Sequence, residues 1–198
     1  MQNIIVFCGH IGSGKDTAAK YFIDNYGYKT SKMAGASDRV GSLKRVVFEI
    51  FDLDLSKVED RDYRETPHKN LDGKTPRKAL QYFGNETRQF FKDVWVNNTI
   101  KHIKTLGNKN FVISDARYSN EIEAIKLMEC EDTRVHIVAI KKSSLNLKDE
   151  MYKDPSEEQI PQIQSVADFT IFNDSDIQDF HEHLRELYQT ISNVSILG

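Results

Sequence analysis

The sequence predicts an α/β fold in which a parallel β-sheet is covered by helices. Short apolar runs rich in β-branched residues alternate with longer segments whose apolar residues recur at helical spacing. Parallel strands need long crossover connections that are usually helices, so this alternation is typical of a parallel sheet. A glycine-rich turn directly follows the first apolar run, and ligands of such sheets bind at the carboxyl ends of the strands.

Five strands and five helices follow from these patterns. The predicted strands cover residues 4–8, 28–33 (a weaker run), 111–114, 135–140 and 169–172. The predicted helices cover residues 16–25, 43–51, 75–90, 119–128 and 176–191. Thr75 and Pro76 provide an N-cap and a first-turn proline for the third helix, and residues 173–175 hold cap candidates for the last. The second helix is expected to turn one apolar face inward, made of Leu43, Val46, Val47, Ile50 and Phe51.

The composition is that of a single domain in a reducing cytoplasm. The chain has 198 residues and a net charge of −3, with charges of both signs spread along it. It has no basic block that would bind a nucleic acid polymer and no apolar run that would span a membrane. Cys8 and Cys130 cannot build a disulfide framework, and Cys8 is expected to be a buried thiol. No signal peptide is visible, and a homodimer is the default expectation.

Residues 9–17 read Gly-His-Ile-Gly-Ser-Gly-Lys-Asp-Thr and match the spacing of a phosphate-binding P-loop. Glycines let the backbone turn tightly, so that successive N–H groups point into one concavity at the N-terminus of a helix. Lys15 can then reach the β- and γ-phosphates of a nucleotide. The residues expected to bind the nucleotide are Gly9, Gly12, Ser13, Gly14, Lys15, Asp16 and Thr17.

Asp16 stands where the usual P-loop carries Ser or Thr. A carboxylate beside a triphosphate is electrostatically costly unless a metal ion, or water bound to a metal ion, lies between them. Asp16 is therefore expected to be an outer-shell Mg²⁺ partner or a base near the phosphoryl acceptor. The alternative is a helix N-terminal acid that only favours the helix dipole. Thr17 would bind a phosphate oxygen or the metal.

The apolar run at residues 111–114 leads into Asp115, which is the second candidate for the metal. A P-loop enzyme needs a carboxylate at such a strand end to hold Mg²⁺ through water, and a cap or turn former is the alternative role. Arg117 follows two residues later, and its planar guanidinium can bind two phosphate oxygens. The predicted metal-binding residues are thus Asp16, Thr17 and Asp115.

The helix predicted at residues 75–90 carries side chains suited to an acceptor molecule. Arg77 and Gln81 are four residues apart and share a face, where they could contact a monophosphate and a base edge. Gly84 inside the helix costs about 1 kcal/mol relative to alanine, which predicts close packing or a bend. Trp95 belongs to the core or stacks on a base.

Three blocks of sequence, supported by a fourth at residues 168–174, resemble one known family. They are residues 9–17 with the unusual Lys-Asp-Thr, residues 77–88 with Trp95 and Val96 after them, and residues 114–121. The second reads Arg-Lys-Ala-Leu-Gln-Tyr-Phe-Gly-Asn-Glu-Thr-Arg and the third Ser-Asp-Ala-Arg-Tyr-Ser-Asn-Glu. The resemblance is to the deoxynucleoside monophosphate kinases of tailed bacteriophages, within the P-loop nucleoside monophosphate kinase superfamily.

This resemblance implies a three-layer α/β/α P-loop kinase fold, in which residues 1–198 form a single domain. The polar segments at residues 52–74 and 143–161 are too long for plain connections in a compact domain. A kinase of this kind needs one mobile part that holds the acceptor and one that closes over the phosphates, and two solvated loops are the alternative. We therefore expect an acceptor-binding helical insert at about residues 37–106 and a lid at about residues 143–161. The implied reaction transfers a phosphoryl group from ATP, with Mg²⁺, to a deoxynucleoside monophosphate (dNMP), giving ADP and the diphosphate. A phage origin would place the protein in the host cytoplasm.

The roles of individual residues follow from their positions in the matching blocks. The implied catalytic residues are Lys15, Asp16, Arg88 and Arg117. The implied acceptor-binding residues are Lys44, Arg77, Gln81, Arg88, Arg117 and Glu121. Kinases of this superfamily often carry lid arginines, but residues 143–161 contain none. Their role would fall to Lys141, Lys142, Lys148 or Lys153, or else Arg88 and Arg117 suffice.

Two other functions stay open at this point. A P-loop kinase of another small acceptor, such as phosphomevalonate or dephospho-coenzyme A, would share the loop but should lack the blocks at residues 77–88 and 114–121. A nucleotide-binding protein without turnover would keep the fold alone. The presence of both Lys15 and Asp115 argues against a protein that binds nucleotide without turnover.

Overall fold

The computed structural model describes residues 1–33, 42–149 and 152–194. Within these ranges five strands form one sheet in the order β2-β3-β1-β4-β5. They are β1 (Gln2–Cys8), β2 (Lys29–Ser31), β3 (Phe111–Ile113), β4 (Thr133–Lys141) and β5 (Phe169–Phe172). The pairs β1–β3, β1–β4 and β4–β5 are parallel, which confirms the predicted α/β fold.

The helices connect and flank these strands. They are α1 (Lys15–Tyr26), α2 (Ser42–Ile50), α3 (Arg61–Glu65), α4 (Pro76–Phe90), α5 (Val94–Leu106), α6 (Ser119–Lys126), α7 (Pro155–Glu158), α8 (Ile160–Ser165) and α9 (Ile177–Val194). All five predicted helices are present within about three residues of their predicted bounds. Helix α5 was not predicted. None of the helices in the described ranges is long and apolar enough to cross a membrane.

The chain divides into two compact units, Met1–Thr30 with Leu106–Gly198 and Ser31–Thr105. The first unit contains the central strands, and one of its core clusters joins alternate residues of β1 to α1 and α9 through Ile5, Phe7 and Phe22. Ile4 and Val6 on the opposite face of β1 are also fully buried, and α6 and α8 contact the sheet. A strand buried on both faces needs a layer on each side, as in a three-layer α/β/α fold. Cys8 is buried, as predicted.

The second unit has its own core, formed by Val47, Phe48, Leu53, Val58 and Leu71. The predicted inward face of α2 is partly wrong, because Val46 and Ile50 are 49% and 59% exposed. Phe48 is buried instead, so the inward stripe is rotated by about one position around the helix. Leu43 and Phe51 pack against this core as expected.

Gly84 allows close packing in α4, one of the two outcomes predicted for it. A Cβ atom at this position would lie 3.3 Å from Cδ2 of Leu43. Trp95 is 8% exposed, and its Nε1 donates a hydrogen bond to the Gly84 carbonyl oxygen at 3.1 Å. Trp95 therefore belongs to the packing of the second unit, which decides between the two roles left open for it.

The polar segment at residues 52–74 is ordered into short helices. Side chains of Asp54, Asp60 and His68 each accept a hydrogen bond from a backbone N–H in the first turn of one of them. The segment is polar partly because each of these short helices needs a polar side chain to cap its N-terminus. The segment at residues 143–161 includes α7 and the start of α8, and residues 150 and 151 lie outside the described ranges. Residues 37–41 of the predicted insert also lie outside them.

The cap of the last helix lies one residue later than predicted. Oδ1 of Asp176 accepts hydrogen bonds from the backbone N–H groups of Gln178 and Asp179 at 2.8 and 3.0 Å. Of the predicted cap candidates, Asp174 instead accepts hydrogen bonds from the backbone N–H and the Oγ of Ser143.

Candidate active site

The loop between β1 and α1 adopts backbone conformations that glycine alone takes easily. Gly9 and Gly14 have φ angles of +152° and +108°. A Cβ atom on Gly9 would lie 2.4 Å from the Ile140 carbonyl oxygen, and one on Gly14 would lie 2.5 Å from Nδ2 of Asn173. The same Nδ2 donates a hydrogen bond to the Ser13 carbonyl oxygen at 2.9 Å. The loop is thus packed against the carboxyl ends of β4 and β5, with no space for a side chain at either glycine.

Lys15 opens α1 with an ammonium group that is almost buried. The residue is 7% exposed, and Nζ donates a hydrogen bond to the His10 carbonyl oxygen at 2.8 Å. Burial lowers the pKa of Lys15 to about 8, and Arg117 also lowers this pKa, whereas Glu157 and Asp16 raise it. An incompletely compensated cation in a partly dehydrated loop is a favourable partner for a phosphate group.

The structure brings together the two segments that carry the predicted metal-binding residues, the start of α1 and the turn after β3. Oδ1 of Asp16 accepts a hydrogen bond from Oγ of Ser114 at 2.7 Å, and Ser114 directly precedes Asp115. Asp16 and Thr17 are exposed on the first turn of α1, and Asp115 is partly exposed after β3. The described residues hold no group of three or more His, Cys, Asp or Glu side chains that could bind a metal ion. Asp16, Thr17 and Asp115 offer oxygen ligands of the kind that Mg²⁺ binds, and Mg²⁺ usually takes one or two carboxylates together with phosphate oxygens.

Arg117 is held beside the P-loop by a carboxylate that the sequence did not single out. Nη1 of Arg117 donates a hydrogen bond to Oε1 of Glu157 at 2.5 Å. The other carboxylate oxygen accepts from the backbone N–H of Ile11 at 3.1 Å and lies 3.0 Å from Nδ1 of His10. The Glu157 side chain is fully buried. It lies in the polar segment predicted as a lid, and its only sequence signal is the acidic first turn of α7.

Glu121, predicted to face the acceptor, is 1% exposed and caps the start of α6. Oε2 of Glu121 accepts hydrogen bonds from the backbone N–H groups of Arg117 and Tyr118 at 2.8 and 3.2 Å. These contacts favour a structural role, in which the carboxylate fixes the turn that carries Arg117, over direct contact with an acceptor.

The remaining predicted acceptor residues lie in the second unit. Nζ of Lys44 pairs with Glu59 at 2.6 Å, and Arg77 pairs with Glu65. Gln81 is exposed on α4, and Arg88 follows two turns later on the same helix. Exposed ion pairs contribute about 0–1 kcal/mol, so Lys44 and Arg77 can exchange these carboxylates for a phosphate at little cost.

Each unit contains a cavity that was not predicted. A cavity of about 370 Å³ adjoins the P-loop in the first unit, where His10, Ser13, Leu145 and Phe172 are among its lining residues. Oγ of Ser13 is buried and has no hydrogen-bond partner among the described residues. A second cavity, of about 550 Å³, lies in the second unit and is lined by Phe51, Asn70, Leu71, Asp72, Lys74, Lys78, Ala79, Tyr82 and Phe83. None of the predicted acceptor residues lines it.

Known proteins resemble the chain both in sequence and in fold. A putative deoxynucleotide monophosphate kinase of Acanthamoeba polyphaga mimivirus is 30% identical over 195 residues, covering 91% of this chain and 93% of the viral protein. The dephospho-CoA kinase from Campylobacter jejuni matches with a TM-score of 0.53 and 18% identity, covering 98% of this chain and all of its own. A Thermus thermophilus protein matches with a TM-score of 0.50 and 16% identity, covering 96% and 97%. No protein-family model matches the chain.

The lowered pKa of Lys15 predicts that ATP binding weakens in mild alkali. Below pH 8 the ammonium group is charged, and above it the free protein must take up a proton to bind the phosphates. The dissociation constant for ATP should therefore rise by up to about tenfold per pH unit above pH 8, measured by calorimetry from pH 7 to 9.5. Burial raises the pKa of Cys8 to about 12, so its thiol stays neutral in this range.

Adenosine is the matched control for this titration, because it lacks the phosphates. Its affinity should not change between pH 7 and 9.5. An ATP affinity that is equally constant would show that the charge of Lys15 does not contribute to binding.

Proposed function

The chain belongs to the P-loop kinases, in one family with the mimivirus protein, and we propose that it is a deoxynucleoside monophosphate kinase. The γ-phosphoryl group of ATP is transferred to a phosphate oxygen of a dNMP, giving ADP and the deoxynucleoside diphosphate. The observation that carries the proposal is the almost buried Lys15 beneath a glycine-shaped loop, in a chain that shares 30% identity with a putative kinase of this class.

The P-loop is proposed to hold the phosphates of ATP. The backbone N–H groups at the start of α1 and the positive end of its dipole attract the β- and γ-phosphates. Lys15 adds a cation at the same place, and the cavity beside Ser13 gives the rest of the nucleotide a concave surface. We retain Gly9, Gly12, Gly14 and Thr17 as further parts of this site.

Mg²⁺ is the metal that best fits Asp16, Thr17 and Asp115. It binds oxygen ligands in octahedral geometry, keeps several waters and usually takes one or two carboxylates together with substrate phosphates. The exposed Asp16 carboxylate, linked through Ser114 to the end of β3, provides this kind of incomplete site. When bound, the ion would neutralise charge on the phosphates.

In this reaction no protein side chain needs to form a covalent bond with the substrates. A phosphate oxygen of the acceptor attacks the γ-phosphorus, and the bond from that phosphorus to the β–γ bridging oxygen breaks. The attacking group is largely ionised at neutral pH, because the second pKa of a phosphate monoester is about 6. No side chain has to remove a proton, which favours the metal-linked role of Asp16 over that of a base. Catalysis then rests on positioning and charge neutralisation, by Lys15, Arg117 and Arg88.

Acceptor recognition is proposed for the second unit. Lys44, Arg77 and Arg88 offer cations for a monophosphate, and Gln81 offers both a donor and an acceptor for a base edge. We retain residues 37–106 as the acceptor-binding insert and residues 143–161 as the lid. The dimer, the cytoplasmic location and the bacteriophage origin stay predictions.

The decisive test of this function is turnover against a panel of acceptors. ADP release from ATP and Mg²⁺ is measured with each common nucleoside and deoxynucleoside monophosphate, with dephospho-coenzyme A and with phosphomevalonate. We expect turnover with at least one dNMP and none with the last two. Turnover only with a non-nucleotide acceptor, or with none, would contradict the proposal.

Lys15→Ala is the matched inactive variant for this panel. Loss of a charged group aimed at the transferring phosphates should lower kcat by about 100-fold or more. Lys20→Ala, an exposed lysine on the same helix, is the control and should retain full activity. Equal activity of the two variants would remove Lys15 from the reaction.

Asp115→Asn tests the metal assignment. Replacing a carboxylate that acts through metal-bound water should raise the Mg²⁺ concentration for half-maximal activity by about 10- to 100-fold. Asp24→Asn makes the same change at the exposed end of α1 and should leave the Mg²⁺ titration unchanged. A wild-type Mg²⁺ titration in Asp115→Asn would make Asp115 a structural residue.

A further inference from the structure

Glu157 is a buried acid whose side-chain hydrogen-bond partners, among the residues that the structure describes, belong to the candidate active site. Its side chain has no exposed surface, and it lies in α7, where Asp154 caps the first turn. A buried carboxylate is costly unless donors meet it. The donors here are Nη1 of Arg117, the backbone N–H of Ile11 and, at 3.0 Å, the ring of His10.

The contacts of Glu157 continue into the P-loop. The carbonyl oxygen of His10 accepts the hydrogen bond from Nζ of Lys15, while the ring of the same residue contacts Glu157. Tyr152 packs edge-on against this ring at 5.8 Å between centroids, and its hydroxyl donates to the Ile11 carbonyl oxygen at 3.2 Å. One carboxylate therefore links the segment before α8 to the first half of the P-loop and, through His10, to Lys15.

The same carboxylate orients Arg117 through only one of its nitrogen atoms, Nη1. The hydrogen bonds to Glu157 and to Oγ of Ser156, at 2.5 and 3.4 Å, both come from Nη1. A guanidinium group carries further N–H donors on Nη2 and Nε, which can bind phosphate oxygens. A short charge-assisted hydrogen bond to a fully buried partner fixes the direction in which those donors point.

We propose that Glu157 is a positioning residue, which holds Arg117 and the first half of the P-loop in the arrangement that receives the transferring phosphoryl group. This inference rests on the proposed phosphoryl transfer and adds a residue to it. It also explains how a cation can be placed at the phosphates although residues 143–161 contain no arginine. The lid segment contributes Glu157, which fixes the position of Arg117 after β3. Glu157 touches no reacting atom and acts through Arg117 and His10.

Glu157→Gln and Glu158→Gln are the matched pair for the test. Both remove one negative charge from α7, but Glu158 is exposed. In the 198-residue chain we expect Glu157→Gln to lower kcat by about tenfold or more while the KM for ATP changes by less than about threefold. Glu158→Gln should match the wild type, and Glu157→Asp, which keeps the charge, should recover part of the loss. An unchanged kcat in Glu157→Gln would overturn the proposal.

Tighter ATP binding by Glu157→Gln would also overturn it. That result would mean that the carboxylate competes with phosphate for the N–H donors of Ile11 and Arg117, and so blocks the site instead of preparing it. A double-mutant cycle with Arg117→Ala gives the complementary evidence. If Glu157 acts through Arg117, the loss caused by Glu157→Gln should largely disappear in the Arg117→Ala background, whereas independent effects would multiply. Should Glu157→Gln fail to fold, Glu157→Asp takes its place in the cycle.

A readout without an acceptor separates this proposal from the proposed dNMP kinase activity. The slow hydrolysis of ATP by the protein with Mg²⁺ transfers the same phosphoryl group to water, so it needs the positioned Arg117 but no dNMP. Glu157→Gln should lower this hydrolysis by about tenfold, and Glu158→Gln should leave it unchanged. A protein that turns over no dNMP but shows this loss would refute the dNMP kinase proposal alone. Equal hydrolysis by Glu157→Gln and the wild type would refute the positioning by Glu157.

Discussion

The tight approach of the P-loop to the ends of β4 and β5 is the constraint on which the rest of the site depends. At Gly14 the backbone is left-handed, and the amide of Asn173 occupies the space where a Cβ atom would lie. At Gly9 the Ile140 carbonyl oxygen does the same. These contacts fix where α1 begins, and thereby where Lys15 and the first backbone N–H groups of the helix point. The carbonyl oxygen of Ile140 and the side chain of Asn173 thus shape the proposed phosphate site directly, by packing against the loop.

The second organising feature is a balance of charge around one buried cation. Lys15 is dehydrated and lies near Arg117, so its pKa falls to about 8, and the Glu157 and Asp16 carboxylates partly restore it. Where water is largely excluded the effective dielectric constant is low, so interactions between charges are much stronger than in bulk water. A nucleotide brings the missing negative charge, so binding and charge compensation become one event. This gives a physical reason why Glu157 and Asp16, acids from two distant segments of the chain, converge on a loop that is proposed to bind phosphate.

The features that lie close together in sequence were predicted well. The P-loop, the strand before it and the parallel sheet follow from glycine spacing and apolar runs. Helix α5 could also have been found, since Trp95, Val96, Thr99 and Ile103 are buried at helical spacing. Glu157 could not, because it lies 146 residues from its P-loop partner Ile11, in a polar segment without periodicity. Which face of α2 turns inward depends on packing that local spacing does not contain. The cap formed by Glu121 is a local contact, to backbone groups three and four residues before it. It was missed because the N-cap residue is Tyr118 and not the Ser or Thr of the usual capping box.

The most direct test of this account is ATP binding by Gly14→Ala, measured by calorimetry. The variant should fold but bind ATP about tenfold more weakly or worse, because a side chain in this left-handed, crowded turn costs about 1–3 kcal/mol or displaces Asn173. Gly27→Ala is the control, since Gly27 is also left-handed, at the other end of α1, with nothing within 4 Å of an added Cβ. Wild-type ATP affinity in a folded Gly14→Ala protein would contradict the claim that this turn builds the phosphate site.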